Sequence, residues 1–487
     1  MNRQQRRRQT REQARALRRA ADPVSPDPDA ALSLAIRHHQ AGRLQEAERL
    51  YRRILRGRPD HADALHLLGV TAHQAGDSAV AVELIGRAIA INARVAEYHN
   101  NIGEAYSALG RPDTAVACYN KALAINPDFV EAHDNLGNVL KREGRMEEAL
   151  ASYQRAIEIA PDRAEAHNNL GNVLKILGRR DEALVSYQRA LRLDPDHAQA
   201  HNNLGAALQD MGRLEDAIQW YRRAIQLVPH FAEAHINLGA ALKDQGKQDE
   251  AIACYQRAVE SGRNSAKHVL AALRGETTET APRDYVTEYF DNFAPRFEND
   301  LVGGLGYTVP RSLKNALDKF ATRDRRFRNV IDLGCGTGLA GAEFRAVSSR
   351  LIGVDVSTKM IAQAKKKKVY DSLEEEDIAE FLNKTDETYD LYVAADVFVY
   401  VGNLAPIFSA VRKRAREKAL FTFSTEICEG GDYSLNKTAR YSHSRGYIEA
   451  LAQDQNFSVE LCDTLIIRKE NGENVPGYLF ILEYNNC

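Results

Sequence analysis

Two patterns of apolar and polar positions divide the chain. Between residues 28 and 265 the sequence repeats every 34 positions: Gly42, Gly76, Gly110, Gly144, Gly178, Gly212 and Gly246 share one phase, and alanine recurs from Ala47 to Ala251 on another. An aromatic recurs at Tyr51, Tyr119, Tyr153, Tyr187, Tyr221 and Tyr255, with Ile85 in its place once, and prolines from Pro59 to Pro229 close the units. Past Thr277 the period is lost, and Phe, Tyr, Val and Ile become more frequent. Asn329-Val-Ile-Asp-Leu-Gly-Cys-Gly-Thr-Gly338 and Arg350-Leu-Ile-Gly-Val-Asp355 predict a strand, a tight glycine turn, a helix and a second strand ending on a carboxylate. Tyr389 to Asp396, Phe421 to Glu426 and Gly477 to Tyr484 read as later strands.

Each repeated residue has a packing reason. Alanine and a second glycine series, Gly69 to Gly239, let helices approach closely, tyrosine fills the space between them and proline ends the second helix. The array resembles the tetratricopeptide repeat, which implies two antiparallel helices per unit. One unit cannot bury its own apolar face, so the seven units are expected to stack into a curved solenoid. Asn101, Asn135, Asn169, Asn203 and Asn237 share a phase that packing does not explain and are expected to form a ladder on the inner, concave face. A carboxamide offers a donor and an acceptor side by side, which complements an extended polypeptide. The alternative is a consensus asparagine that faces water. The A-H-N-N-L-G subtype is similar to the repeats of O-linked N-acetylglucosamine transferases, where such a ladder holds extended peptide, so a protein or peptide partner is expected here.

In the second half, the glycines let the backbone approach a nucleoside, and Asp355 is placed to accept hydrogen bonds from ribose hydroxyls. The spacing G-x-G-x-G is not the dinucleotide G-x-G-x-x-G, and no Walker Lys-Ser/Thr follows, which disfavours phosphate cradling; a plain Rossmann-like turn or an NAD site is the alternative. With Asp332 ahead of the turn, the pattern resembles the class I S-adenosylmethionine-dependent methyltransferases, written D-x-G-x-G-x-G. The resemblance implies a Rossmann-like seven-stranded domain with S-adenosyl-L-methionine as cofactor. It also implies a cofactor site of Asp332, Gly334, Cys335, Gly336, Gly338, Asp355, Met360 near the adenine and Asp377 at its amino group. Tyr285, Tyr289, Phe290, Phe293 and Phe297, in a segment of F-D-x-x-A form, are expected as a lid, although an aromatic stripe also reads as ordinary core.

The strand ending at Asp396 lacks the [D/N]-P-P-[Y/F] of amino-group methyltransferases, and no Pro-Cys pair offers a nucleophile for cytosine C5, so base methylation is disfavoured. His443 is the expected base for an acceptor proton, with Tyr441 and Asp396 as second choices; a structural histidine is the alternative. The R-Y-x-H-S and D-V-F-V-Y elements are similar to a bacterial group of methyltransferases, some of which carry N-terminal tetratricopeptide repeats.

Length, charge and cysteine usage sharpen this picture. A chain of 487 residues is expected to form two or three domains. The expected fold is α + α/β: a basic arm over 1–27, repeats over 28–265, a capping helix and linker over 266–282, and the methyltransferase domain over 283–487. A formal net charge of −2 gives no general attraction to nucleic acid or anionic membrane. The arm, with eight arginines before Asp22 and no aromatic, offers contacts to phosphates or carboxylates but no stacking platform, and otherwise reads as a solvated tail. Six cysteines without a C-x-x-C pair read as reduced thiols, no metal site is expected, and the arm lacks a signal peptide's apolar middle. The expected function is a cytoplasmic methyltransferase whose repeats recruit a polypeptide or protein-bound acceptor. The alternative is an interaction scaffold whose methyltransferase fold binds cofactor without turnover.

Overall fold

The computed structural model describes residues 28–294, 297–298, 301, 306–321, 325–470 and 473–485, so the basic arm lies outside the described residues. The chain divides into two compact units between Leu227 and Val228.

Among its described residues the first unit is all helical, with successive pairs running from Pro28–Gln40 and Leu44–Gly57 to Ala198–Asp210 and Leu214–Leu227. Between the helices of a pair the chain turns on a left-handed glycine, such as Gly144 at φ 76°, where a side chain would strain the backbone. The second glycine series marks the closest approach within each pair. A Cβ on Gly137 would stand 2.8 Å from the Tyr153 ring, and one on Gly171 2.6 Å from Tyr187. The histidine of A-H-N-N-L-G also has a structural role, since His133, His167 and His201 donate Nε2–H to the carbonyls of Pro127, Pro161 and Pro195, each at 2.9 Å. Gly137→Ala should therefore destabilise the unit by about 1–3 kcal/mol through overpacking, although alanine favours a helix. Gly86→Ala, in an open helical position, should stabilise it by about 0.5–1 kcal/mol. Urea unfolding of the two variants measures the contrast.

The second unit opens with the helices Ala232–Asp244, Gln248–Glu260 and Ala266–Arg274. Among the described residues a nine-stranded sheet follows. Its strands are β1 (Phe327–Leu333), β2 (Ser348–Asp355), β3 (Ser372–Glu375), β4 (Tyr389–Ala394), β5 (Ala415–Ile427), β6 (Tyr433–Leu435), β7 (Tyr441–His443), β8 (Phe457–Glu470) and β9 (Glu473–Tyr484). Neighbouring strands β3-β2-β1-β4-β5 pair in parallel, β9 joins β5 antiparallel and β8 closes on β9. That path holds the seven expected strands. The other two, β6 and β7, form a short antiparallel pair. Glu426 of β5 pairs with Gly477 of β9 on one edge and with Ser442 of β7 on the other, so β7 occupies the edge that β4 uses lower down. It therefore stands just beyond the carboxyl end of β4. The central strands are buried on both faces, with Val330, Ile331, Leu351, Val354, Leu391 and Phe421 in the core, as parallel sheets covered by helices require.

Candidate functional site

The chain leaves β1 through Gly334, Gly336 and Gly338, whose φ angles of 71°, 52° and 88° suit glycine. The N–H groups of Gly334 and Cys335 both donate to the Val354 carbonyl, at 2.8 and 3.0 Å, and tie the turn to β2. A Cβ on Gly334 would stand 2.6 Å from Val397, whereas Gly336 faces open space. At the end of β2, Asp355 accepts from Gly336 N–H through Oδ2 at 2.8 Å and from Ser357 N–H through Oδ1 at 2.9 Å. Each oxygen therefore uses one acceptor position and keeps another. Burial pushes the Asp355 carboxyl up to about 6, although these backbone donors favour its ionised form. Asp377 caps the helix Ile378–Lys384, accepting from the N–H groups of Ala379 and Glu380 at 2.9 and 3.1 Å.

These strand ends open onto a cavity of about 330 Å³ lined by Gly334, Gly336, Asp355, Asp377 and Asp396. Tyr289, Phe290 and Phe293 of the helix Arg283–Phe293, with Phe297 beyond it, form part of the wall. Asp291 holds that helix against the end of β2, accepting from Ser357 Oγ at 2.6 Å and Lys359 N–H at 3.3 Å. Tyr285 does not line the cavity; its ring packs on His268, with centroids 4.7 Å apart.

Asp396, just past β4, adopts a left-handed φ of 58°, a strained conformation for a residue with a side chain. Its N–H donates to Ser424 Oγ at 2.9 Å, and its carboxylate accepts from Arg468 Nη1 at 3.3 and 3.4 Å. Burial pushes Asp396 up to about 6 against the opposing pull of Arg468. Arg468 also pairs with Glu426 and Glu470, and its Nε has no partner among the described residues. Arg440 donates Nη1 to Glu470 at 2.9 Å. Burial alone would lower its pKa, but the Tyr400 and Tyr289 phenols and the Glu470 and Asp396 carboxylates leave it raised. Arg440, Arg468, Tyr307 and Tyr400 all line the cavity, and sequence reasoning assigned a role to none of them. Arg440 belongs to the R-Y-x-H-S element, so a local signal existed; Arg468 had none.

Several expected site residues stand elsewhere, and the structure corrects them. His443 is fully buried and does not line the cavity; its Nε2–H is shared by the carbonyls of Val401 and Gly402 at 2.9 and 3.0 Å. Burial lowers its pKa to about 4, and this ring is a structural donor. Tyr441 is also fully buried, with its hydroxyl 2.5 Å from Thr278 Oγ1. Met360 follows the helix cap at Ser357 and turns into the core, leaving Val356 on the cavity wall. Asp332 lies beneath the turn, accepting from the Tyr370 hydroxyl at 2.6 Å, and burial pushes it up to about 7. Cys335 is buried and Gly338 serves as the N-cap of the helix Leu339–Phe344; neither lines the cavity.

The asparagine series is partly engaged within the repeats. Asn135 Nδ2 donates to Asn100 Oδ1 and Glu104 Oε1 at 3.1 and 2.7 Å, and Asn203 Nδ2 to Asn168 Oδ1 at 2.9 Å. Asn101 Nδ2 lies 2.8 Å from His66 Nε2, and Asn169 donates to Glu165 at 3.4 Å. Oδ1 of Asn135 and of Asn169 accepts no hydrogen bond among the described residues. Asn237 holds the same phase, half-buried, in the second unit.

Among the described residues, no group of three or more His, Cys, Asp or Glu side chains could hold a metal ion, and no helix is long and apolar enough to cross a membrane. Tetratricopeptide repeat families match residues 32–97, 96–129, 128–196, 162–230 and 196–264, and a methyltransferase domain family matches residues 330–418. The chain is 35% identical over 86 residues to the human Methyltransferase-like protein 27, covering 18% of this chain and 35% of that protein. It is 26% identical over 176 residues to the Probable S-adenosylmethionine-dependent methyltransferase CRG1 of Saccharomyces cerevisiae, covering 34% of this chain and 59% of that protein. It thus spans less than two thirds of either relative. The crystal structure of MamA is similar at 30% identity and a TM-score of 0.31, covering 34% of this chain and 97% of that one.

Proposed function

We propose that this chain, which carries tetratricopeptide repeats in its N-terminal half and a methyltransferase domain toward its C-terminus, is a cytoplasmic S-adenosylmethionine-dependent methyltransferase whose repeats recruit a polypeptide or protein-bound acceptor. In this reading residues 28–265 recruit and residues 283–487 transfer. The observation that carries it is the junction of Gly336, facing open space, with Asp355, which retains acceptor capacity on both oxygens. These residues fit a nucleoside whose ribose hydroxyls donate to Asp355, with Asp377 on the adenine side. When bound, S-adenosylmethionine supplies a methyl group already activated by its positive sulfur.

The protein itself has to orient the reactants, exclude water and move one proton where the acceptor requires it. Orientation alone can lower a barrier by roughly 7–11 kcal/mol. Tyr289, Phe290 and Phe293 keep water from the cavity. Asp396 is the one expected base on the cavity wall, and with its carboxyl pushed up to about 6 it can take a proton near neutral pH. Equilibrium titration with S-adenosylmethionine tests the site, and labelled-methyl transfer into a fractionated lysate tests the reaction. Absence of cofactor affinity defeats the reading; affinity without transfer to any fraction supports the interaction scaffold instead.

The repeats carry a separate prediction. Replacing Asn135, Asn169 and Asn203 together with alanine removes the unengaged acceptor oxygens of Asn135 and Asn169, and with Asn203 the oxygen that accepts from Gln199 Nε2 at 3.2 Å, and should weaken partner capture roughly tenfold or more, at about 1 kcal/mol per lost bond. Cofactor affinity should not move. Undiminished capture by the triple variant would leave these asparagines with only their hydrogen bonds inside the repeats.

A further inference from the structure

We infer that the methyl acceptor carries a carboxylate and that Arg440 is the residue that anchors it, resting on the methyl-transfer reading above. The placement follows from strand register. Ser442 pairs with Glu426 on the edge of β5 that β4 occupies below, so Arg440, two residues earlier, enters at the carboxyl end of β4 beside Asp396. Asp355 ends β2, two strands away across β1, or about 10 Å at the usual strand spacing. The cavity thus has a nucleoside end marked by Asp355 and Asp377, and an opposite end marked by Arg440, Arg468 and Asp396.

That second end has cationic donors to spare. Arg440 commits Nη1 to Glu470, while Nε and Nη2 make no hydrogen bond among the described residues. Arg468 is 2% exposed, and its buried Nε–H lacks a partner among the described residues. At this end the wall itself carries two guanidinium groups and the carboxylate of Asp396, while Glu426 and Glu470 pair with the arginines without lining it. A guanidinium edge with adjacent free N–H groups matches the two oxygens of a carboxylate in one plane. The phenols of Tyr289 and Tyr400 line the same cavity and offer hydroxyl donors. A neutral acceptor would leave the buried Arg468 Nε–H and the free edge of the partly exposed Arg440 unanswered, whereas an anionic one satisfies them.

The test uses the full-length protein loaded with S-adenosylhomocysteine. It is titrated with small mono- and dicarboxylic acids, each alongside its primary amide, and with one short peptide bearing a free or an amidated C-terminus. The expected result is that at least one acid, or the free-carboxyl peptide, binds about tenfold or more tightly than its amide. Which of the two does so separates a small-molecule acid from a polypeptide carboxylate. Arg440→Ala should abolish that preference and leave S-adenosylhomocysteine affinity unchanged. Arg440→Lys, which keeps a charge opposite Glu470 but loses the planar fork, should reduce the preference and serves where Arg440→Ala does not fold. Equal binding of acids and amides overturns the inference, as does failure of every acid to bind the loaded protein. It is also overturned if Arg440→Ala weakens S-adenosylhomocysteine but not methylthioadenosine, because the arginine would then hold the cofactor's own carboxylate. Failure of the wild type to bind S-adenosylhomocysteine overturns the methyl-transfer reading and this inference together.

Discussion

Asp355→Ala should leave a folded protein whose affinity for S-adenosylmethionine is reduced about 100-fold or more, the largest binding effect expected at any single position. Each ribose hydroxyl that donates to the carboxylate is worth roughly 1.5–3 kcal/mol because the acceptor is charged, and two such bonds are lost together. The substitution also removes the acceptor for Gly336 N–H and Ser357 N–H, so the glycine turn and the Ser357 helix cap lose a common anchor. Isothermal titration of wild type and variant, with circular dichroism to establish folding, measures the loss. An undiminished affinity would place the nucleoside elsewhere.

The same carboxyl gives the binding a pH signature. Burial pushes Asp355 up to about 6 in the folded protein, and the ionised form is the one that accepts from two hydroxyls. Affinity should be constant above that value and fall as pH drops through it, by as much as about tenfold per unit. Asp355→Asn should bind weakly with a flattened profile, since no charge remains to titrate at that position. The neighbouring Asp332, pushed up to about 7 beneath the turn by burial and in part by the Asp355 charge, broadens the wild-type curve upward and moves down in the variant, so the variant's residual pH dependence lies lower and is shallower.

The parts of the molecule that could be read from sequence are those in which one residue's role is dictated by its own backbone. The repeat period exposes the Gly137 and Tyr153 contact because each glycine meets the aromatic of the same unit at a fixed separation. The glycine turn is legible because its φ angles suit glycine, and Asp355 because its carboxylate accepts from the turn's own N–H. Legibility stops where placement depends on distant pairing. Arg440 and His443 belong to one short element, yet only the register of β7 beyond β4 decides that the arginine reaches the cavity and the histidine is enclosed. Arg468 arrives on β8, positioned through β9 against β5, with no local pattern to announce it. Met360 shows a subtler limit: it lies on the expected helix, but its side chain is buried and Val356 lines the wall.

His443 supplies the largest expected effect on stability. Both partners of its Nε2 are carbonyls, which only accept, so this nitrogen carries the proton and serves two buried acceptors at once. His443→Ala removes that donor and opens a void beneath Tyr447, whose ring stacks at 6.1 Å between centroids. The expected cost is about 3–5 kcal/mol, seen as a fall in the urea midpoint, with cofactor affinity of the folded fraction unchanged. The pH dependence has a definite sign. With its folded pKa lowered to about 4 and an unfolded value near 6.5, the histidine binds its proton preferentially in the unfolded chain between those limits. Its contribution is complete above about 6.5 and is lost as pH falls toward 4, by roughly 3 kcal/mol over the window. Asp332, Asp355 and Asp396, whose folded values are raised, act in the opposite direction in both wild type and variant and cancel in the comparison. The stability gap between wild type and His443→Ala should therefore narrow on acidification. A gap that stays constant with pH, together with loss of methyl transfer at full stability, would return His443 to the role of base that its position in the R-Y-x-H-S element first indicated.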